Sequence, residues 1–153
     1  MEERLTGRRG ELLRLGLAAR NWLLSQMSDD DSLMNWKLSE DSRTANEIAT
    51  HVAWAIGAVC AHLSEELGIQ LDSLEQETND GGVESDIRQS YRLFKEILYK
   101  MADEMLDRWS TLPPPAKLRE GSVETILRII AGYHAFHHGG QIAYLIKRAR
   151  KQV

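Results

Sequence analysis

Apolar positions recur at helical spacing along almost the whole chain, and runs that alternate with period two are nearly absent. In the first segment Leu5, Leu12, Leu15, Ala19, Trp22 and Leu23 predict a helix from about Glu3 to Met27. Leu13, Leu17 and Leu24 widen its apolar arc, as in a helix buried on more than one side. Ser28-Asp29-Asp30-Asp31 then favours a turn or a new cap. The stretch Ser28 to Arg43, with Leu33, Met34 and Trp36, is a long connection for a compact domain. A short helical turn is expected there, laying Trp36 over one end of the molecule.

A second helix starts at Thr44-Ala45-Asn46-Glu47, a capping box in which the hydroxyl and the carboxylate each take a free N–H. Ile48, Val52, Ile56, Val59 and Leu63 mark its buried stripe, and it should stop near Gly68. Asp72 to Gly82 is acidic, polar and Gly-ended, so an exposed loop is expected. A third helix begins around Ser85, with a stripe of Ile87, Tyr91, Phe94, Leu98, Met101 and Met105. Pro113-Pro114-Pro115 should break that helix, because proline lacks the donor a helix needs. Ser122 caps a fourth, running to about Arg150. Four amphipathic helices with little else predict an all-α four-helix bundle with a long first connection. Its 153 residues suit a single domain, 1–153.

The fourth helix holds an anomaly. Its seam reads Val123, Leu127, Ile130, His134, His138, Gln141, Leu145, so polar groups take three core positions. A buried polar group without a partner costs about 1–3 kcal/mol, so three in successive turns need a shared explanation. His134 and His138 project from one face a turn apart, the spacing by which a helix offers two nitrogens to one metal ion. Among the other histidines His51 is best placed to supply a third, at the edge of the second helix's stripe. His62 lies some 16 Å further along that helix and cannot share the ion. His137 points about 100° away from His138 and suits a contact to a neighbouring helix or subunit. Three imidazoles with open positions suit zinc, nickel or iron(II). Histidines hydrogen-bonded internally, with no metal, are the other reading.

Charge and composition narrow the alternatives. A net charge of -4 argues against nucleic acid, which requires a clustered positive field. Lys147, Arg148, Arg150 and Lys151 complement the dipole at the end of the last helix. No apolar run reaches the roughly 18 residues of a membrane span, and MEERLTGRRGELL lacks the apolar core of a signal peptide. One cysteine, Cys60, forms no internal disulfide and reads as a small buried hydrophobe, so a cytoplasmic location is expected.

The stretch Ser42-Arg43-Thr44-Ala45-Asn46-Glu47-Ile48-Ala49-Thr50-His51-Val52-Ala53-Trp54 resembles the second-helix signature of the DinB/YfiT-like metalloenzymes. His134-x-x-x-His138-Gly139-Gly140-Gln141-Ile142 is similar to that family's fourth-helix motif, and Leu33-Met34-Asn35-Trp36-Lys37 resembles its long first connection. The resemblance runs in order over nearly the whole chain. It implies a homodimeric bundle with a divalent metal on His51, His134 and His138. It also implies kinship with thiol-dependent S-transferases, in which the metal activates a low-molecular-weight thiol toward a small-molecule substrate. A non-catalytic metal-binding or stress-related bundle is the alternative. Many relatives carry Arg where this chain has Gly139, which removes a positive charge near the metal. Gly139 and Gly140 cost about 1 kcal/mol each within a helix, and a closely approaching helix would account for them.

Four further residues are candidates around the site. Gln141 either orients a ligand or bonds a neighbouring helix. Glu47, one turn before His51, is a further ligand or base unless its capping role occupies it. Tyr133 and Trp36 either line a substrate pocket or pack. Trp54 lies off the stripe, toward the first helix or a second subunit.

Overall fold

The computed structural model describes residues 3–75 and 81–152. Helices α1 (Gly7–Gln26), α2 (Asp31–Met34), α3 (Ala45–Leu67) and α4 (Val83–Lys100) precede a small hairpin, followed by α5 (Val123–Arg128) and α6 (His134–Arg150). The four long helices form a square: α1 packs on α4 and α6, and α3 packs on the same two from the opposite corner. The expected four-helix bundle is thus the observed architecture, and no described helix is long and apolar enough to cross a membrane.

Local chemistry sets most helix ends. The α3 capping box is complete: Glu47 N–H donates to the Thr44 hydroxyl at 3.0 Å, and Thr44 N–H to the Glu47 carboxylate at 2.8 Å. The helix stops at Gly68, whose φ of 69° is the left-handed conformation glycine adopts without strain. In the first connection Asp30 accepts from Ser32 N–H and caps α2, burying Leu33 and Met34. Trp36, half-buried, packs against the core. Helix α1 begins at Gly7, not near Glu3, because the chain enters it through a left-handed Gly7 (φ 64°). Its buried stripe is Leu12, Gly16, Ala19 and Leu23, with Leu13, Leu17 and Leu24 half-buried. Trp22, expected on that stripe, is 40% exposed.

Two corrections concern the second half. Helix α4 does not run on to the prolines. It ends at Lys100, where the Arg9 guanidinium donates to the carbonyls of Leu98 (3.1 Å) and Met101 (2.6 Å), groups that a helix end leaves without partners. A 3-10 turn, Asp103–Asp107, follows and holds Met105, which therefore does not extend the α4 stripe. Next comes a β-hairpin that helical periodicity gave no sign of. Strand β1 (Trp109–Thr111) pairs antiparallel with β2 (Glu120–Ser122), with Ser110 opposite Gly121. The three prolines lie in the loop between these strands and interrupt no helix. The hairpin is tied to α3, since Ser110 Oγ donates to Glu66 at 2.5 Å and His62 Nε2 lies 3.1 Å from the Thr111 carbonyl. Of the loop expected over Asp72–Gly82, Asp72–Glu75 forms a 3-10 turn and residues 76–80 lie outside the described residues.

The second correction is the register of the fourth long helix. Ser122 caps it as expected, its hydroxyl accepting from Thr125 N–H. Between α5 and α6, however, Ile129–Tyr133 form a π turn in which His134 N–H reaches back to the Ile129 carbonyl. The Tyr91 hydroxyl, buried on α4, donates to the Ala131 carbonyl at 2.7 Å and pins this turn from the core. Beyond it the buried stripe is Ala135, Gly139, Ile142, Leu145, Ile146 and Ala149. Ile130, His134 and His138 are half-buried on its flank, and Gln141 is exposed. The polar residues therefore border the core instead of forming its seam. At Gly139 the close approach is real: a Cβ there would stand 2.6 Å from Trp22 Nε1 and 3.6 Å from Leu23 Cα. At Gly140 it would meet nothing within 4 Å.

Candidate metal centre

His51 projects from the second turn of α3, while His134 and His138 open the neighbouring α6. The capping box fixes where α3 starts, and the π turn fixes which way α6 faces, so the two ends meet in a set register. His134 Nε2 lies 3.0 Å from His138 Nε2 and 3.3 Å from His51 Nε2. Two nitrogens on one ion, each bonded at about 2.0–2.1 Å, stand roughly 2.9–3.4 Å apart for angles between octahedral and tetrahedral. The observed separations fall in that interval. One nitrogen from each of the three rings lies within 4.8 Å of the others, and the rings meet edge to face.

All three rings are held neutral, the form that ligates. Burial first, and then the neighbouring His138, His51 and His137, lower the His134 pKa to about 4. Burial also lowers the pKa of His138 and of His51. For His51 the charges of Arg43 and of Lys117, from the hairpin loop, act in the same direction. Gln141 settles the tautomer of His138: its Oε1 lies 2.6 Å from His138 Nδ1 and can only accept, so Nδ1 carries the proton. The Nε2 lone pair of His138 then points at the other two rings. His134 Nδ1 is buried without a hydrogen-bond partner among the described residues. The three facing nitrogens lie close enough for one cation to take a lone pair from each ring. The donor set therefore fits a divalent ion of borderline softness.

A cleft of about 670 Å³ opens beside His138, lined by Ser42, Arg43, His137, Gln141 and Tyr144 among others. Helix α3's approach and α6's outer face form its walls. The sequence singled out His51, His134, His138 and Gln141, and the structure brings these four together. Glu47 is elsewhere engaged, its carboxylate held by the Thr44 N–H, and it does not join the cluster. Tyr133 closes the π turn and is 56% exposed, and neither it nor Trp36 lines this cleft. His137 does line it, with its ring 5.2 Å from that of His138. Arg43, Ser42 and Tyr144 were not anticipated as lining residues. Nothing distinguishes a loop arginine before a helix cap from any other surface arginine until the opposing helix is in place. Trp54 is 57% exposed with its ring 6.5 Å from that of His51, so it borders the site. Cys60 is wholly buried, which pushes its thiol up to about 12 and leaves it without nucleophilic character.

No family model matches the chain, and no curated protein matches it. Among solved structures, the chain is similar to the crystal structure of YjoA, a DinB-like protein from Bacillus subtilis. The TM-score is 0.65 with 18% identity, over 90% of this chain and 91% of that one. The fold is DinB-like, and within it three histidines are positioned to hold a metal ion.

Proposed function

We propose that the protein is a metal-dependent enzyme of the DinB/YfiT-like type, with one zinc, nickel or iron(II) ion held by His51, His134 and His138. Its chemistry is read as thiol-dependent S-transfer to a small-molecule substrate. The observation that carries this reading is the convergence of three neutral imidazoles beside an open cleft. Three protein ligands leave positions free for water or substrate, whereas a purely structural site is closed by four.

When bound, the ion would supply Lewis acidity, favouring a thiolate over a thiol near neutral pH. The chain's own residues do the rest. His51, His134 and His138 contribute no charge, so the full positive charge of the centre is available to an incoming anion. Gln141 holds the His138 ring in the ligating tautomer. Ile48 and Leu145 give the cleft an apolar flank.

The test is elemental analysis of untagged protein beside four single variants. About one ion per chain is expected, lost in His51→Ala, His134→Ala and His138→Ala and retained in His137→Ala. A chain that takes up no zinc, nickel or iron after reconstitution overturns the reading. Retention in all four variants would do the same.

A further inference from the structure

Arg43 lines the cleft, and among the described residues no carboxylate or carbonyl takes its guanidinium. Arg8, Arg9, Arg88 and Arg128 are each paired with an acidic side chain, whereas Arg43 differs from the other unpaired arginines in lining the cleft. Its position is set by the chain on both sides. Thr44, next to it, is fixed by the capping box, and Ser42 before it is held by hydrogen bonding with Ser39. Arg43 and His138 line the same cleft. The opposite wall offers Gln141 and Tyr144, and the lining residues named here carry no carboxylate that would repel an anion.

We propose that Arg43 recognises an oxyanion on the substrate, a carboxylate or phosphate, whose reacting end lies at the three-histidine centre. The proposal rests on the metal reading and names the class of molecule that site takes. An Arg fork binds a carboxylate or phosphate with two parallel hydrogen bonds, which fixes orientation as well as charge. A centre built from three neutral ligands adds to the same preference. Arg43 thereby places positive charge beside the centre from the α3 side, where α6 has only Gly139 and Gly140.

The test uses cobalt-loaded protein and two probe thiols, 3-mercaptopropionate and 2-mercaptoethanol, followed by the visible cobalt spectrum. Wild-type protein should bind the carboxylate-bearing thiol about tenfold more tightly. Arg43→Gln should abolish that preference while leaving cobalt content and 2-mercaptoethanol affinity unchanged, and Arg43→Lys should keep part of it. An unchanged preference in Arg43→Gln overturns the proposal. A missing cobalt band is a failure of the metal reading, and the anion site is then judged on metal-free protein with inorganic phosphate. There, amide NMR shifts at Ser42, Arg43 and Gln141 that vanish in Arg43→Gln support it, and absent shifts overturn it.

Discussion

Replacing Gln141 with Ala isolates the one hydrogen bond that orients a proposed metal ligand. In the native chain His138 Nδ1–H donates to Gln141 Oε1 at 2.6 Å, which keeps the Nε2 lone pair directed at His134 and His51. Losing the partner of a ligating histidine typically weakens metal affinity by about 10–100-fold. Gln141 is exposed, so in the variant water can accept the same proton. The loss should therefore sit at the low end, about tenfold in Kd or about 1.4 kcal/mol. Stoichiometry should stay at one ion per chain, because the three ligands remain. Competition against a chromophoric zinc chelator at fixed pH measures this, with His138→Ala as the reference for a lost ligand. Gln141→Glu, which keeps an acceptor and adds charge, should bind at least as tightly as wild type. A Gln141→Ala protein within twofold of wild type would refute the tautomer argument.

Other perturbations separate the roles of neighbouring residues. Gly140→Ala meets empty space in a helix, so thermal melting should show a gain of about 1 kcal/mol, or roughly 2–4 °C. Gly139→Ala drives a methyl against Trp22, and overpacking of about 1–3 kcal/mol should outweigh the same helical gain and lower the melting temperature. Glu47→Ala should cost about 1 kcal/mol through the α3 cap, yet leave metal content untouched. In metal-free protein, stability should fall as pH drops from about 6.5 toward 4. In that window the unfolded His134 binds a proton that the folded one, with its pKa lowered to about 4, refuses. Urea titrations at pH 7 and pH 4.5 check this, and a His134→Gln variant should show the smaller drop.

What could be read in advance divides along physical lines. The Thr44 capping box, the Gly68 stop and the Ser122 cap are local rules written in three or four consecutive residues, and all three are found in place. The His134/His138 pair was legible because helical spacing alone puts both rings on one face. His51 needed a long-range step, and it was reachable because the two other histidines, His62 and His137, were set aside by distance and by direction along their helices. The hairpin was invisible because strands of three residues, Trp109–Thr111 and Glu120–Ser122, are too short to alternate. The π turn was invisible too. Its stabilising contact comes from the Tyr91 hydroxyl, forty positions away from Ala131, and Tyr91 read simply as part of an apolar stripe. That omission misplaced the seam, moving His134, His138 and Gln141 from flank to centre. Glu47 illustrates the opposite case, where a sufficient local role correctly outweighed a more attractive one.

The wide turn at Ile129–Tyr133 makes the histidine motif hostage to a count of residues that precede it. Along an α-helix each residue turns about 100° and rises about 1.5 Å, so a π turn amounts to one extra residue spliced into the helix. Straightening it with no residue removed would let α5 and α6 run on as one continuous α-helix. Everything after it would then rotate by about 100° while α5 kept its seat on the hairpin. His134 and His138 would still be four residues apart, still beside Gln141, and no longer facing His51. Gly139 would likewise turn away from Trp22, and a bulkier neighbour would be driven into α1. A sequence comparison that scores the motif alone would find such a chain intact, although its three rings could no longer meet.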